Sequence, residues 1–186
     1  MRGGAAAMPY APAMSQQLAG RGLGVVPGRL WRRGVLAVAA VGALLFVWWF
    51  VTTPPALPTR EGHVTAVTTV GKPVFVGVWS TGSDFGRELH VAGVRLRADA
   101  TVAVDLEPLL CRGGSVGVTS DPAPFCRELL DPAGTTLGPG DSLVVRVVAE
   151  EPGAVYLDRP SLAFRAGPRW GNREAGTEAV LAIVTP

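Results

Sequence analysis

The chain has 186 residues, 48% of them hydrophobic and 17% charged, with a formal net charge of +2. That length allows one domain of ordinary size plus a tail and an anchor. The charge is uneven: residues 1–33 hold Arg2, Arg21, Arg29, Arg32 and Arg33 and no acid, while from Arg60 onward eleven Arg and one Lys face fifteen acids. The body is therefore mildly acidic, which excludes a nucleic-acid partner for it, because such binding needs a positive surface to displace counterions.

Residues 1–30 are rich in Gly, Ala and Pro and show no periodic apolar face. They cannot bury enough surface to offset their ordering entropy, so a disordered tail is expected there. Met8 and Met14 are alternative start positions, and either choice shortens the tail without changing the reading.

Residues 31–53 predict a transmembrane helix. From Gly34 to Val51 the chain carries no charge. As a helix, that run spans roughly 27 Å, close to the roughly 30 Å hydrocarbon core of a bilayer. Trp31 stands at one end, Trp48 and Trp49 at the other, and indoles favour the two headgroup zones. Arg32 and Arg33 precede the run, so the tail is expected in the cytoplasm and everything beyond about residue 55 outside. A cleaved signal peptide has a shorter apolar core and a small-residue cleavage site, which "TTPPALPT" does not offer. Ala39 and Ala43 form a small-xxx-small pair, so a homo-oligomer is conceivable but unsupported. Pro54 and Pro55 end the helix, and residues 54–62 read as a linker.

Residues 63–186 predict an extracytoplasmic β-domain. Short β-rich runs occupy 63–70, 73–80, 89–98, 101–107, 115–120, 142–150, 154–165 and 178–185, with Gly, Pro and Asp between them. Seven or eight such strands point to an immunoglobulin-like β-sandwich. Alternation puts Val102, Val104 and Leu106 on one face, and Leu143, Val145 and Val147 inward with Arg146 in water. The parity switch between Val91 and Val94 asks for a bulge near Gly93. Cys111 and Cys126 are the only cysteines, and a disulfide between them is expected in an extracytoplasmic setting.

The runs "VGKPVFVGVWSTG", "RELHVAGVRLRA" and "LGPGDSLVVRVVAEEPGAVYLDRPSLAFRAGPR" carry a shared pattern. A Gly-x-Pro leads into an early strand, a Pro-Gly precedes a late one, and Pro-Gly-x-x-Tyr opens the closing hairpin. In this the chain resembles uncharacterised actinobacterial single-pass membrane proteins with an immunoglobulin-like sandwich ectodomain. Sixteen Arg against one Lys, with abundant Ala, Gly, Val and Pro, fit a GC-rich genome of that kind. The resemblance implies no activity and no catalytic residue.

Chemistry-bearing residues are sparse. His63 and His90 have no second ligand at metal spacing, and all three Met lie in the tail, away from any blue-copper set. "GVWSTG" is not a nucleophile elbow, because Val78 stands where the first Gly belongs. A sortase-like site would need a Thr before Cys111, where "LEPLLC" has Leu110. Asp84, Glu88, Asp105 and Glu107 lie in no calcium-loop pattern and read as solvated faces. The one surface cluster is "RAGPRWGNRE", read as a loop joining the last two strands and bearing Arg165, Arg169, Trp170 and Arg173. Arg and Trp together suit an interface and can hold anionic groups.

The reading is a single-pass membrane protein whose β-domain is a non-enzymatic interaction or structural module. Its expected partners are the lipid bilayer and another membrane or cell-envelope protein. No cofactor or metal is expected. The alternatives are a ligand-sensing ectodomain and an extracytoplasmic enzyme working through scattered carboxylates or a Cys111 thiol.

Overall fold

A computed structural model describes residues 28–186. The expected disorder of the tail falls almost wholly on residues outside that range. The described chain is mainly β, with one apolar helix at its N-terminal end.

The helix α1 runs Arg29–Thr52. Its stretch Trp31–Thr52 is long and apolar enough to cross a membrane and has no buried share. Trp31, Trp48 and Trp49 are each well over half exposed, and Arg32 and Arg33 are exposed. A helix this apolar has no water-facing stripe to orient it in a soluble core. The Thr52 hydroxyl donates to the Trp48 carbonyl in the last turn, where Pro54 ends the helix.

Thirteen strands follow: β1 Thr59–Thr69, β2 Val74–Ser80, β3 Leu89–Arg95, β4 Ala98–Ala100, β5 Val104–Arg112, β6 Val118–Thr119, β7 Glu128–Leu130, β8 Thr136–Leu137, β9 Ser142–Ala149, β10 Gly153–Leu157, β11 Ser161–Ala166, β12 Arg169–Glu174 and β13 Gly176–Val184. They form three sheets, ordered β1-β13-β10-β4, β12-β11-β3-β8 and β6-β2-β9-β5-β7. All three contribute to one core, with Leu181 and Val155 from the first, Leu89 and Leu162 from the second, and Val76, Leu110 and Val145 from the third. β1 pairs in parallel with β13, so the start and the end of the domain lie side by side.

Several sequence expectations hold at the residue level. Leu143, Val145 and Val147 are fully buried. Arg146 on the other side of β9 meets Glu107 at 3.1 Å. The bulge asked for near Gly93 is present: Val91 pairs with Phe164 and Gly93 with Ala163, leaving Ala92 out of register. That slip returns Val94 to the core side.

Others need correction. The strand count exceeds seven or eight because 154–165 is two strands, 169–174 is a strand, and β4, β7 and β8 have only two or three residues, too short to show an alternation. The 101–107 strand starts at Val104 and continues through Pro108 to Arg112. Proline is tolerated there because β7 covers only Leu110–Arg112, which leaves Pro108 where β5 is an edge on that side. The 54–62 linker is partly strand, since β1 begins at Thr59 opposite Gly176. Its first residues, "TREGH", are all exposed, so no apolar pattern announced them. The 165–174 loop is a hairpin: β11 and β12 pair from Ser161↔Glu174 to Ala166↔Arg169 around Gly167 and Pro168. The alternation in β12 is carried by Arg, Gly, Trp and Asn, which hydrophobic periodicity cannot register.

Candidate functional site

Two built features stand out, one at the junction between α1 and the β-domain and one around the disulfide. The compact unit containing the β-domain begins at Gly42, so the last turns of α1 belong to it.

β12 runs beside the chain that leaves the helix. Its side chains alternate, and one face carries Arg169, Gly171 and Arg173. The Arg169 guanidinium lies 3.9 Å from the centre of the Phe50 ring. A cation over an aromatic face contributes about 0.5–2 kcal/mol, more as water is excluded. Gly171 abuts Pro54: a Cβ there would stand 2.8 Å from the proline ring. The Arg173 Nε donates to the Pro54 carbonyl at 3.3 Å. Pro54 itself is buried.

The clasp continues upward. Arg87 donates to the Ala56 carbonyl at 2.9 Å while its guanidinium covers Phe85 at 5.0 Å. Phe85 meets Trp79 edge to face at 5.9 Å, and both rings belong to the core. Leu57 is buried in the same core. Gly176 then donates its N–H to the Pro58 carbonyl at 2.9 Å. Gly176 has φ 73°, and a Cβ would overlap the Val78 carbonyl oxygen. Between Phe50 and Pro58 the chain is thus held at five residues by β12, Arg87, the core and Gly176.

The four residues of the Arg/Trp cluster therefore divide. Arg169 and Arg173 turn to the helix end. Arg165 and Trp170 are cross-strand partners that point away from it, both exposed. Arg165 donates from Nε to the Gly167 carbonyl at 2.9 Å. A cleft of about 720 Å³ beside the junction is lined by Pro55, Arg87, Glu88, His90, Ala166 and Arg169, among others. One carboxylate there faces two guanidinium groups.

The second feature is covalent. Cys111 and Cys126 form the disulfide, with Cα atoms 5.2 Å apart. It is buried with Val116 and Val144, against Phe75 and Leu129, in a small cluster on the far side of β9 from the main core. Closing a loop of this size contributes about 3 kcal/mol. Next to it Asp141, 3% exposed, accepts from the N–H groups of Gly113 at 2.8 Å and Gly138 at 2.9 Å. Arg112 reaches the same carboxylate at 3.4 Å. The sequence pattern assigns no role to Asp141, Arg87 or Leu57. The lone Leu57 among prolines in "PPALPT" was the available signal.

The remaining chemistry-bearing residues stay apart. His90 meets the Thr136 hydroxyl at 3.0 Å through Nδ1. Among the described residues no three His, Cys, Asp or Glu side chains are placed to share a metal ion. A polar cleft of about 360 Å³ gathers Arg95, Arg97, Arg159, Asp158, Glu174 and Glu178. At its edge the Tyr156 hydroxyl donates to Glu178 at 2.6 Å, and this bond raises the phenol above its usual pKa.

No protein-family model, no curated protein and no solved structure matches this chain.

Proposed function

We propose that this is a single-pass membrane protein whose β-domain is a non-enzymatic interaction or structural module held at the outer membrane surface. The observation that carries the reading is the clasp. An apolar helix with no buried face ends in a segment gripped by Arg169, Gly171, Arg173 and Arg87. Such a junction presents a domain at a set height, which a freely tethered catalytic domain does not need. The arginine-rich, acid-free stretch before the helix supports a cytoplasmic N-terminus. A mainly β domain whose sheets share one core supports packed sheets, of which we propose the immunoglobulin-like sandwich. The partner class is another membrane or cell-envelope protein. Crosslinking in intact cells, followed by mass spectrometry, tests it. A reproducible partner that disappears on deletion of residues 60–186 is the expected result, and an abundant protein with no partner above background would contradict it.

A second reading, a ligand-sensing ectodomain, draws on the polar cleft. Its three arginines and three acids balance, and the Arg159 Nε is buried without a partner. That lining suits a small zwitterionic or polyhydroxy ligand. Calorimetric titration with amino acids and sugars separates this reading from the first.

A further inference from the structure

The tip of the β11–β12 hairpin sits beside the last turn of α1. Arg169 covers Phe50, two residues before the helix ends at Thr52. At about 1.5 Å per residue, that ring lies roughly 3 Å short of the helix end. Trp48 and Trp49 mark the same level and are exposed. Where α1 spans a bilayer, this is the depth of the headgroups, the zone that indoles prefer.

The groups gathered at that depth have one character. Arg169 begins β12 and Arg165 lies near the end of β11, on either side of Gly167 and Pro168. Trp170 is 52% exposed on the face opposite Arg169 and stands across from Arg165. Arg87 lines the adjacent cleft, and His90 lines both that cleft and the space beside Arg165. Glu88 is the one acid among them. Among the described residues neither Arg165 nor Arg169 pairs with a carboxylate. Residues 1–27 contain no acid that could supply one. Two guanidinium groups without a carboxylate partner, one on each face of the hairpin and the outward one beside an exposed indole, complement headgroup phosphates at that level.

We propose that the hairpin tip is a lipid-binding finger: Arg165 and Arg169, on its two faces, each engage the phosphate of an anionic phospholipid headgroup, and Trp170 enters the interfacial zone. The inference rests on the reading of α1 as a membrane span. The guanidinium forks give bidentate geometry to the phosphate, and each cation engaged by an anionic surface shifts the bound-to-free ratio about five-fold. Arg169 would then have two contacts, the Phe50 ring and the headgroup, so lipid would tighten the clasp from below.

Hydrogen–deuterium exchange of the full chain in nanodiscs is the test, comparing phosphatidylcholine alone with discs that also contain phosphatidylglycerol. The expected result is exchange across residues 164–171 about ten-fold slower in the anionic discs, reversed by high salt, with β9 unchanged. Arg165→Gln should remove about half of the effect on a logarithmic scale, since Arg165 is exposed and its side-chain hydrogen bond goes to the nearby Gly167 carbonyl, so its loss spares the fold. Trp170→Ala should weaken protection in both kinds of disc. Equal exchange in both, from chain retained in the discs, would overturn the finger and leave the span intact. Chain that does not stay in the discs would overturn the span and the finger together. Protection seen only in discs made from native membranes, and absent in pure lipid, would mean a protein occupies the tip and would also overturn the proposal.

Discussion

The segment around the disulfide and the segment leaving the helix are both irregular, and they are fastened by different means. Residues 111–126 are tied by a covalent bond inside a small apolar cluster, with Asp141 satisfying the nearby backbone. Residues 50–58 are tied by arginines on a ring and on carbonyl oxygens, by a glycine contact and by one buried leucine. The first kind of fastening stabilises the fold itself. The second fixes the chain that leaves α1 onto the domain and is open to the medium around it. Stability and placement are therefore separable in this molecule.

Removing the bridge should have the largest effect on stability. The Cys111→Ala/Cys126→Ala pair is expected to cost about 3 kcal/mol, or about 10 °C in Tm, in calorimetry of the purified full chain. Reductant should do the same, with no change in proteolysis at Arg60 beside the junction. Asp141→Ala comes next, at about 2 kcal/mol, because two part-buried N–H groups and the Arg112 guanidinium lose their buried acceptor. Gly171→Val inverts the pattern. A side chain there displaces Pro54, so trypsin should cut at Arg60 several-fold faster while the stability of the domain changes by about 1 kcal/mol or less. If it instead unfolded the domain, stability and placement would not be separable.

The smallest effect is pH-dependent. The hydrogen bond to Glu178 holds the Tyr156 phenol above its ordinary value near 10. A raised folded-state value means that the contribution is fully present below about pH 10 and is lost as pH rises through the raised value. Ultraviolet titration should show Tyr156 ionising later than the other tyrosine, and Glu178→Gln should bring it back toward the ordinary range.

How much of this was legible in the sequence follows from what each part is made of. The apolar span and the inward sets of β9 and β5 announce themselves, because burial imposes a period on Val and Leu. The bulge at Ala92–Gly93 was legible for the same reason, as a break in that period. The two cysteines were legible by count. β12 was not, because its ordering contacts run through charged and glycine side chains, whose alternation carries no hydrophobic signal. The clasp was not, because it joins Phe50 to Arg169 and Ala56 to Arg87 across long stretches of chain, and no local pattern encodes such pairs. Of the four surface residues read as one cluster, the fold assigns two to the helix end and leaves two outward. Only pairing register decides that division.

The central claim is a retained helix with the β-domain beyond it on the outer side. The most direct measurement places one epitope before Met1 and another after Pro186 and probes intact and permeabilised cells. One membrane-integrated chain should carry both epitopes, with the C-terminal one reached from outside and the N-terminal one only after permeabilisation. A shorter chain cut near residue 52 and released from the membrane, or a C-terminal epitope shielded in intact cells, would contradict the account.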